Sequence, residues 1–140
     1  MPAKDVFHEP FAHALIKDGW TITDDPLTIP FESTDLFVDI GAERLIGAER
    51  AGERIAVEIK SFLKPSPVQD LKEAIGQYIL YSDIMAESPA NSGRILYLAV
   101  REETYRVTFG KEQTQRLLRN RNIKMVIFNP REEVIVEWKS

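Results

Sequence analysis

The sequence predicts an α/β fold: a helix, three strands, a second helix and a fourth strand, followed by a further helix and two strands. Three observations support this order. Apolar residues recur at three- and four-residue steps in the helical segments, alternating or unbroken apolar runs mark the strands, and Gly, Pro, Asp and Ser separate them. With 140 residues, of which 44% are hydrophobic, the chain can bury one ordinary core. We therefore expect a single domain over residues 1–140.

The first helix is predicted over residues 6–17, where apolar positions repeat at helical spacing, and it ends before Gly19. Residues 20–23 then form a short β segment. The turn residues 24–26 stop this segment, and an extended piece follows through Ile29.

An antiparallel hairpin is predicted next. Its first strand begins near Leu36 and extends over residues 36–49, and its second strand is formed by residues 55–60. Ala51-Gly52 is the expected turn between the two strands.

The second helix begins with a capping pattern, because Ser66 precedes Pro67 and Gln69 follows three residues after the serine. We expect it to continue to about Ala86. Its apolar stripe is predicted to be Val68, Leu71, Ile75, Tyr78, Ile79 and Ser82. A second face carries Asp70, Glu73, Gln77 and Tyr81.

The C-terminal part is predicted to complete the sheet. Residues 95–100 form an unbroken apolar run, which is typical of a central strand covered on both faces. A short helix over residues 111–120 and strands over residues 125–128 and 134–138 follow.

A carboxylate and an ammonium group share one face of the strand at residues 55–60. Side chains alternate along a strand, so Glu58 and Lys60 project to the same side. The carboxylate can bind a divalent ion while the lysine stays beside it. Asp39 would add a second carboxylate from the partner strand, and the backbone carbonyl of Ile59 a third oxygen. The alternative is a solvated strand face on which Glu58 and Lys60 pair with each other or with a neighbour.

The second carboxylate has two candidates. A tight hairpin turn places Glu43 opposite Lys60 and leaves Asp39 several residues further up the strand. Either a bulge or bend at Gly41 returns Asp39 to Glu58, or Glu43 is the second carboxylate. We favour Asp39.

This constellation resembles the PD-(D/E)XK nuclease superfamily. Glu58-Ile59-Lys60 matches its Glu-x-Lys motif, and Val38-Asp39 stands where the motif has Pro-Asp. The resemblance implies a restriction-endonuclease-like core with a mixed sheet, a Mg²⁺ or Mn²⁺ cofactor, and Asp39, Glu58 and Lys60 as catalytic residues. It also offers Gln77 and Glu9 as accessory residues. Their alternative roles are a polar pair on the helix surface and an acid favoured by the helix dipole.

Longer strings of the sequence carry a second resemblance. They are Lys4-Asp5 with Phe7-His8, residues 17–23, 38–43 and 55–62, Gly76-Gln77-Tyr78, and residues 96–100. These strings resemble the XisH family of excision controlling factors. The resemblance implies a cyanobacterial factor needed to excise the fdxN element during heterocyst differentiation. It implies a companion protein, XisI, and a role other than that of the recombinase.

The composition limits the remaining classes of function. With 22 acidic and 18 basic residues the net charge is −4, which argues against nucleic-acid binding through overall positive charge. The absence of cysteine excludes disulfides and thiolate metal sites. No run is long and apolar enough to cross a bilayer, and residues 1–5 lack secretory-signal features, so we expect a soluble cytoplasmic protein without a membrane partner.

Three functions are consistent with these observations. The first is a Mg²⁺-dependent DNA endonuclease that takes part in excision. The second is a catalytically silent regulatory protein that acts with XisI. The third is a defence-type nuclease. The sequence does not identify the DNA substrate or the oligomeric state. A homo-oligomer is one of the states that it allows.

Overall fold

A computed structural model describes residues 4–44 and 52–140 of the chain. Its main elements are α1 (His8–Lys17), β1 (Thr21–Asp24), β2 (Leu27–Phe31), β3 (Thr34–Val38), β4 (Ile40–Arg44), β5 (Glu53–Ile59), α2 (Pro67–Glu87), β6 (Ile95–Arg101), α4 (Glu112–Asn120), β7 (Met125–Asn129) and β8 (Val134–Lys139). Between β6 and α4 lie a single turn, α3 (Glu102–Thr104), and a π-helical turn (Tyr105–Phe109). The predicted order of the main helices and strands is therefore present, with additional strands before β5.

Six strands form a mixed sheet in the order β1-β4-β5-β6-β7-β8. The pairs β5-β6 and β6-β7 are parallel, whereas the other neighbours are antiparallel. Strand β6 lies between two parallel partners, which confirms the prediction that its unbroken apolar run is central. A parallel neighbour requires a crossover, and α2 supplies the one between β5 and β6.

A separate hairpin, β2 and β3, was not predicted. Leu27 pairs with Val38 and Phe31 with Thr34, so the piece expected to be merely extended is a paired strand. Glu32 adopts a φ of 50°, which closes the turn between the strands. The strand predicted over residues 36–49 is interrupted at Asp39, where the chain leaves β3 and enters the main sheet as β4.

The predicted register of the β4-β5 hairpin is wrong. Arg44 pairs with Glu53 and Ile40 with Val57, so eight residues connect the strands instead of a tight turn at Ala51-Gly52. The longer connection shifts the register by six residues and removes the need for a bulge between β4 and β5 at Gly41. Residues 45–51 lie outside the described residues. They include positions 45–49 of the predicted strand and Ala51 of the predicted turn.

Each face of the main sheet has its own core. The face under α1 buries Phe11, Leu15, Trp20, Ile40, Ala42, Ile55, Val57, Ile59, Ala99, Val126 and Phe128. The face under α2 buries Leu27, Ile29, Val38, Ala56, Ala74, Tyr78, Tyr81, Met85, Leu96, Leu98, Val100, Phe109, Leu118, Ile123 and Met125. The side chains of β5 thus alternate between the two faces as predicted.

The start of α2 follows the predicted cap, because the Ser66 Oγ accepts a hydrogen bond from the Gln69 N–H at 3.2 Å. The predicted apolar stripe is partly wrong. Val68 is 62% exposed and Ile79 is 38% exposed, whereas Tyr81 is buried. The buried face is rotated toward the side that carries Gln77, and this rotation brings polar groups of α2 over the sheet.

No helix in residues 4–44 and 52–140 combines the length and apolar character that crossing a membrane requires.

Candidate functional site

Asp39 and Glu58 meet across the β4-β5 pair. Continuing the register one step beyond the pairing of Ile40 with Val57 places Asp39 opposite Glu58. The Asp39 N–H donates to the Glu58 Oε1 at 3.3 Å, and the Ile59 N–H donates to the Asp39 Oδ2 at 2.7 Å. The bend at Asp39 allows its side chain to take the place of a backbone partner for Ile59. Two main-chain donors therefore fix the carboxylates relative to each other.

Lys60 lies directly beyond β5, on the side of the strand that Glu58 occupies. Its ammonium is 4.0 Å from the Glu73 Oε2 of α2, and the side chain is 20% exposed. The Lys60 N–H donates to the Ala99 carbonyl at 3.0 Å, which keeps the residue in line with β6. A cation is thus held beside the carboxylate pair at the open end of β5.

Both carboxyl groups have raised pKa values. Burial raises the pKa of Glu58 well above its ordinary range, the charge of Asp39 raises it further, and Lys60 opposes the shift. Burial also raises the pKa of Asp39, although its hydrogen bond from the Ile59 N–H works in the opposite direction. A buried carboxylate beside a half-buried one is costly, so the pair favours a proton or a bound cation.

A cavity of about 280 Å³ opens onto this pair. It is lined by Lys4, Asp5, Pro26, Phe37, Asp39, Glu58, Ile59, Lys60, Gln77 and Tyr81. The N-terminal segment, the β2-β3 hairpin and α2 therefore wall a site whose floor is the end of β5. Polar groups converge on a concave surface, which is the usual form of a small binding or catalytic site.

The other predicted site residues are placed differently. Gln77 lines the cavity, and its Oε1 is buried without a hydrogen-bond partner in the described part of the chain. Glu43 lies opposite Arg54, four pairs away from Glu58, and is exposed. Glu9 is exposed on α1 and does not line the cavity. The structure thus brings Asp39 and Gln77 to Glu58 and leaves Glu43 and Glu9 outside.

Asp5 and Tyr81 also line the cavity and were not predicted as site residues. Asp5 precedes α1 and accepts a hydrogen bond from the Phe7 N–H at 2.9 Å, and its charge contributes to the raised pKa of Asp39. Tyr81 follows Gln77 by four residues on the same helix face, and this spacing is the signal that could have identified it. Burial, with smaller effects from Glu58 and Asp39, raises the pKa of Tyr81 to about 12. Its hydroxyl therefore stays protonated at neutral pH and can donate a hydrogen bond.

The donor set fits a hard divalent cation. Only one oxygen of Asp39 and one of Glu58 receive an N–H donor in the described residues. Within a strand the N–H and C=O of one residue point to the same neighbour, so the Ile59 carbonyl is directed toward the Asp39 side. No three His, Cys, Asp or Glu side chains converge into a metal site within residues 4–44 and 52–140. Main-chain, substrate or water oxygens would complete the coordination, as is usual for Mg²⁺.

A family model and two solved structures match this chain over nearly its whole length. None of the curated proteins matches this sequence. A crystal structure of an XisH family protein from Nostoc punctiforme shares 39% identity, covers 97% of this chain and 100% of its own, and superposes with a TM-score of 0.85. A crystal structure of a fdxN element excision controlling factor protein from Anabaena variabilis shares 40% identity, with coverages of 98% and 100% and a TM-score of 0.84. The sequence model of the XisH protein family matches residues 1–136, and the chain therefore belongs to the XisH family.

Proposed function

We propose that the chain is an excision controlling factor for a DNA element, as the name of the Anabaena relative states for that protein, and that its cavity hydrolyses phosphodiester bonds in DNA. One observation carries the enzymatic part. Asp39 and Glu58, which are 19 residues apart in sequence, are held together by main-chain hydrogen bonds beside Lys60. A carboxylate pair with an adjacent cation suits metal-dependent phosphoryl transfer.

The proposal places the chain in the PD-(D/E)XK superfamily. The elements α1, β1, β4, β5, α2 and β6 follow the order helix, three strands, helix, strand, with β2 and β3 as an insertion. Glu58 lies near the end of β5 and Asp39 directly before β4, which are the positions that the motif requires. The parallel β5-β6 pair and the mixed sheet support the same placement.

Asp39, Glu58 and the Ile59 carbonyl would hold Mg²⁺ or Mn²⁺. When bound, such an ion neutralises charge on the phosphate and lowers the pKa of a coordinated water. The chain itself orients both carboxylates through the Asp39 and Ile59 N–H groups, so little reorganisation is needed on binding. Lys60 lies where its ammonium can neutralise a non-bridging phosphate oxygen. The Oε1 of Gln77, which has no hydrogen-bond partner in the described part of the chain, can accept a hydrogen bond from a water in the cavity.

The test is nicking of supercoiled plasmid and branched DNA in Mg²⁺ or Mn²⁺. We expect cleavage by the wild type and at least about a 100-fold loss in Lys60→Ala, by analogy with the removal of one charge-stabilising donor. Lys72→Ala is the matched control, because Lys72 is exposed on α2 and does not line the cavity. Mn²⁺ should raise the melting temperature of the wild type more than that of Asp39→Asn. Failure to cut either DNA form with any divalent metal tried would rule out the nuclease.

A second candidate is a regulatory protein that retains the fold and binds a companion such as XisI. The net charge of −4 and the words "controlling factor" in the name of the Anabaena relative favour it. It predicts a stable complex with XisI on co-purification and normal excision in cells that carry Lys60→Ala. Loss of excision in that variant, with folding intact, would contradict this candidate.

A further inference from the structure

Two ammonium groups share one carboxylate at the rim of the cavity. The Glu73 Oε2 is 4.0 Å from the Lys60 Nζ and 3.4 Å from the Lys64 Nζ. The two lysines carry one more positive charge than the single carboxylate neutralises. Two cations that converge on one oxyanion form a pattern that also suits a phosphate oxygen.

The position of this cluster connects the cavity to solvent. Lys60 lines the cavity, and Lys64 lies in the exposed segment between β5 and the cap of α2. Glu73 precedes Gln77 by one helical turn and therefore lies on the same face of α2. The exposed fraction of the side chain rises from 20% in Lys60 to 39% in Glu73 and 65% in Lys64. A strand that enters the cavity has this cluster as a neighbour.

We infer that Glu73 occupies the position of a nucleic-acid phosphate, and that Lys64 and Lys60 exchange its carboxylate for a phosphate when DNA binds. This inference rests on the proposed action on DNA and adds two residues to its substrate contacts. Partly exposed ion pairs are weak, so the exchange has a low cost. Glu73 then competes with the phosphate for both ammonium groups, and Lys64 is a phosphate-binding residue.

The charge environment supports the exchange. Lys60 lies between two acidic groups, because it interacts with Glu58 on one side and with Glu73 on the other. A phosphate at the rim would therefore compete with Glu73 for an ammonium group that already contacts an acidic group there.

Binding of fluorescein-labelled DNA, single-stranded and duplex, in EDTA tests the inference without cleavage. Glu73→Gln removes the competing charge and should tighten binding about threefold to tenfold at low salt. Glu87→Gln is the matched control, because it removes the same charge from an exposed position about 21 Å further along α2. Lys64→Ala should weaken binding and reduce the slope of log Kd against log salt by about 0.7 to 0.9.

The double variant separates an exchange from a general charge effect. The gain from Glu73→Gln should shrink in the Lys64→Ala background, because one of the released lysines is then missing. Equal tightening in Glu73→Gln and Glu87→Gln, or weaker binding in Glu73→Gln, would overturn the inference while leaving the proposed function intact. A wild type that neither binds nor cuts DNA would overturn both. Thermal unfolding of each variant checks that the fold is retained.

Discussion

The two faces of the central sheet differ in what they bury, although they share the same strands. Along β5, Ile55, Val57 and Ile59 enter the core under α1, whereas Ala56 and Glu58 face α2. The α1 face is closed by apolar side chains. The α2 face includes the buried Glu58, the half-buried Asp39 and an open cavity. One strand can therefore contribute to stability with one set of residues and to chemistry with the alternate set.

Aromatic contacts close the α1 face. The rings of Phe11 and Phe128 meet edge to face with centroids 5.1 Å apart, and Tyr97 and Trp138 do so at 4.9 Å. Such pairs add to the free energy gained from apolar burial. On the α2 face, the raised pKa values of Asp39 and Glu58 show that the fold tolerates an electrostatic cost. The comparison predicts that substitutions on the α1 face reduce stability, whereas some on the α2 face reduce activity and increase stability.

The largest expected effect on stability is that of Phe11→Ala. Phe11 is fully buried, and truncation of such a ring removes its contacts with Phe128 and leaves a cavity. We expect a loss of about 3–5 kcal/mol in the free energy of unfolding, measured by urea denaturation. Phe37→Ala is the matched control on the other face, because Phe37 is half-buried and borders a cavity that is already open. Equal losses in the two variants would contradict the difference between the faces.

A smaller effect is expected where α2 is attached to the sheet. The Tyr78 hydroxyl donates to the Leu96 carbonyl at 2.8 Å and accepts from the Lys124 N–H at 3.1 Å. Tyr78→Phe keeps the ring and leaves these two main-chain groups without their partner, at a cost of about 1–3 kcal/mol. Urea denaturation measures the loss. A change within about 0.5 kcal/mol, as for an ordinary surface substitution, would show that water replaces the hydroxyl.

The alternation of β5 could be predicted from the sequence, whereas its register could not. Alternation is local, since it follows from the geometry of one strand, and Glu58 and Lys60 do lie on the same side. Register depends on the length of the connection between strands, and a tight turn at Ala51-Gly52 was assumed where eight residues separate Arg44 from Glu53. This error made Glu43 an alternative to Asp39.

Residues from distant segments were the hardest part of the site to predict. Gln77 was assigned from its face on α2, and the same face contained Tyr81, so helical periodicity carried the information. Asp5 and Phe37 reach the cavity only because α1 and the unpredicted β2-β3 hairpin pack around the end of β5. No local pattern encodes that packing. The rotation of the buried face of α2 has the same origin, because contacts with β2 and β6 decide which side of an amphipathic helix is covered.

Glu58→Gln gives the smallest change in stability and the sharpest contrast with Phe11→Ala. The amide has nearly the same shape and can still accept the Asp39 N–H hydrogen bond. Because it carries no charge, it removes the repulsion between the Asp39 and Glu58 carboxylates. We expect cleavage to be lost and the free energy of unfolding at neutral pH to rise by about 0.5–2 kcal/mol, a range typical of stabilising substitutions. Urea denaturation at a series of pH values measures the difference.

The pH dependence gives this prediction its sign. The pKa of Glu58 is raised in the folded state above the ordinary value of 4.5, so below that value both states hold the proton and the glutamate has no penalty. As the pH rises from 4.5 through the folded-state pKa, the unfolded chain releases the proton first, and the wild type loses stability relative to Glu58→Gln. The advantage of the variant should grow across that window and then become constant. An advantage that does not change with pH would mean that the carboxylate pair has no electrostatic cost, and that the two faces differ in shape alone.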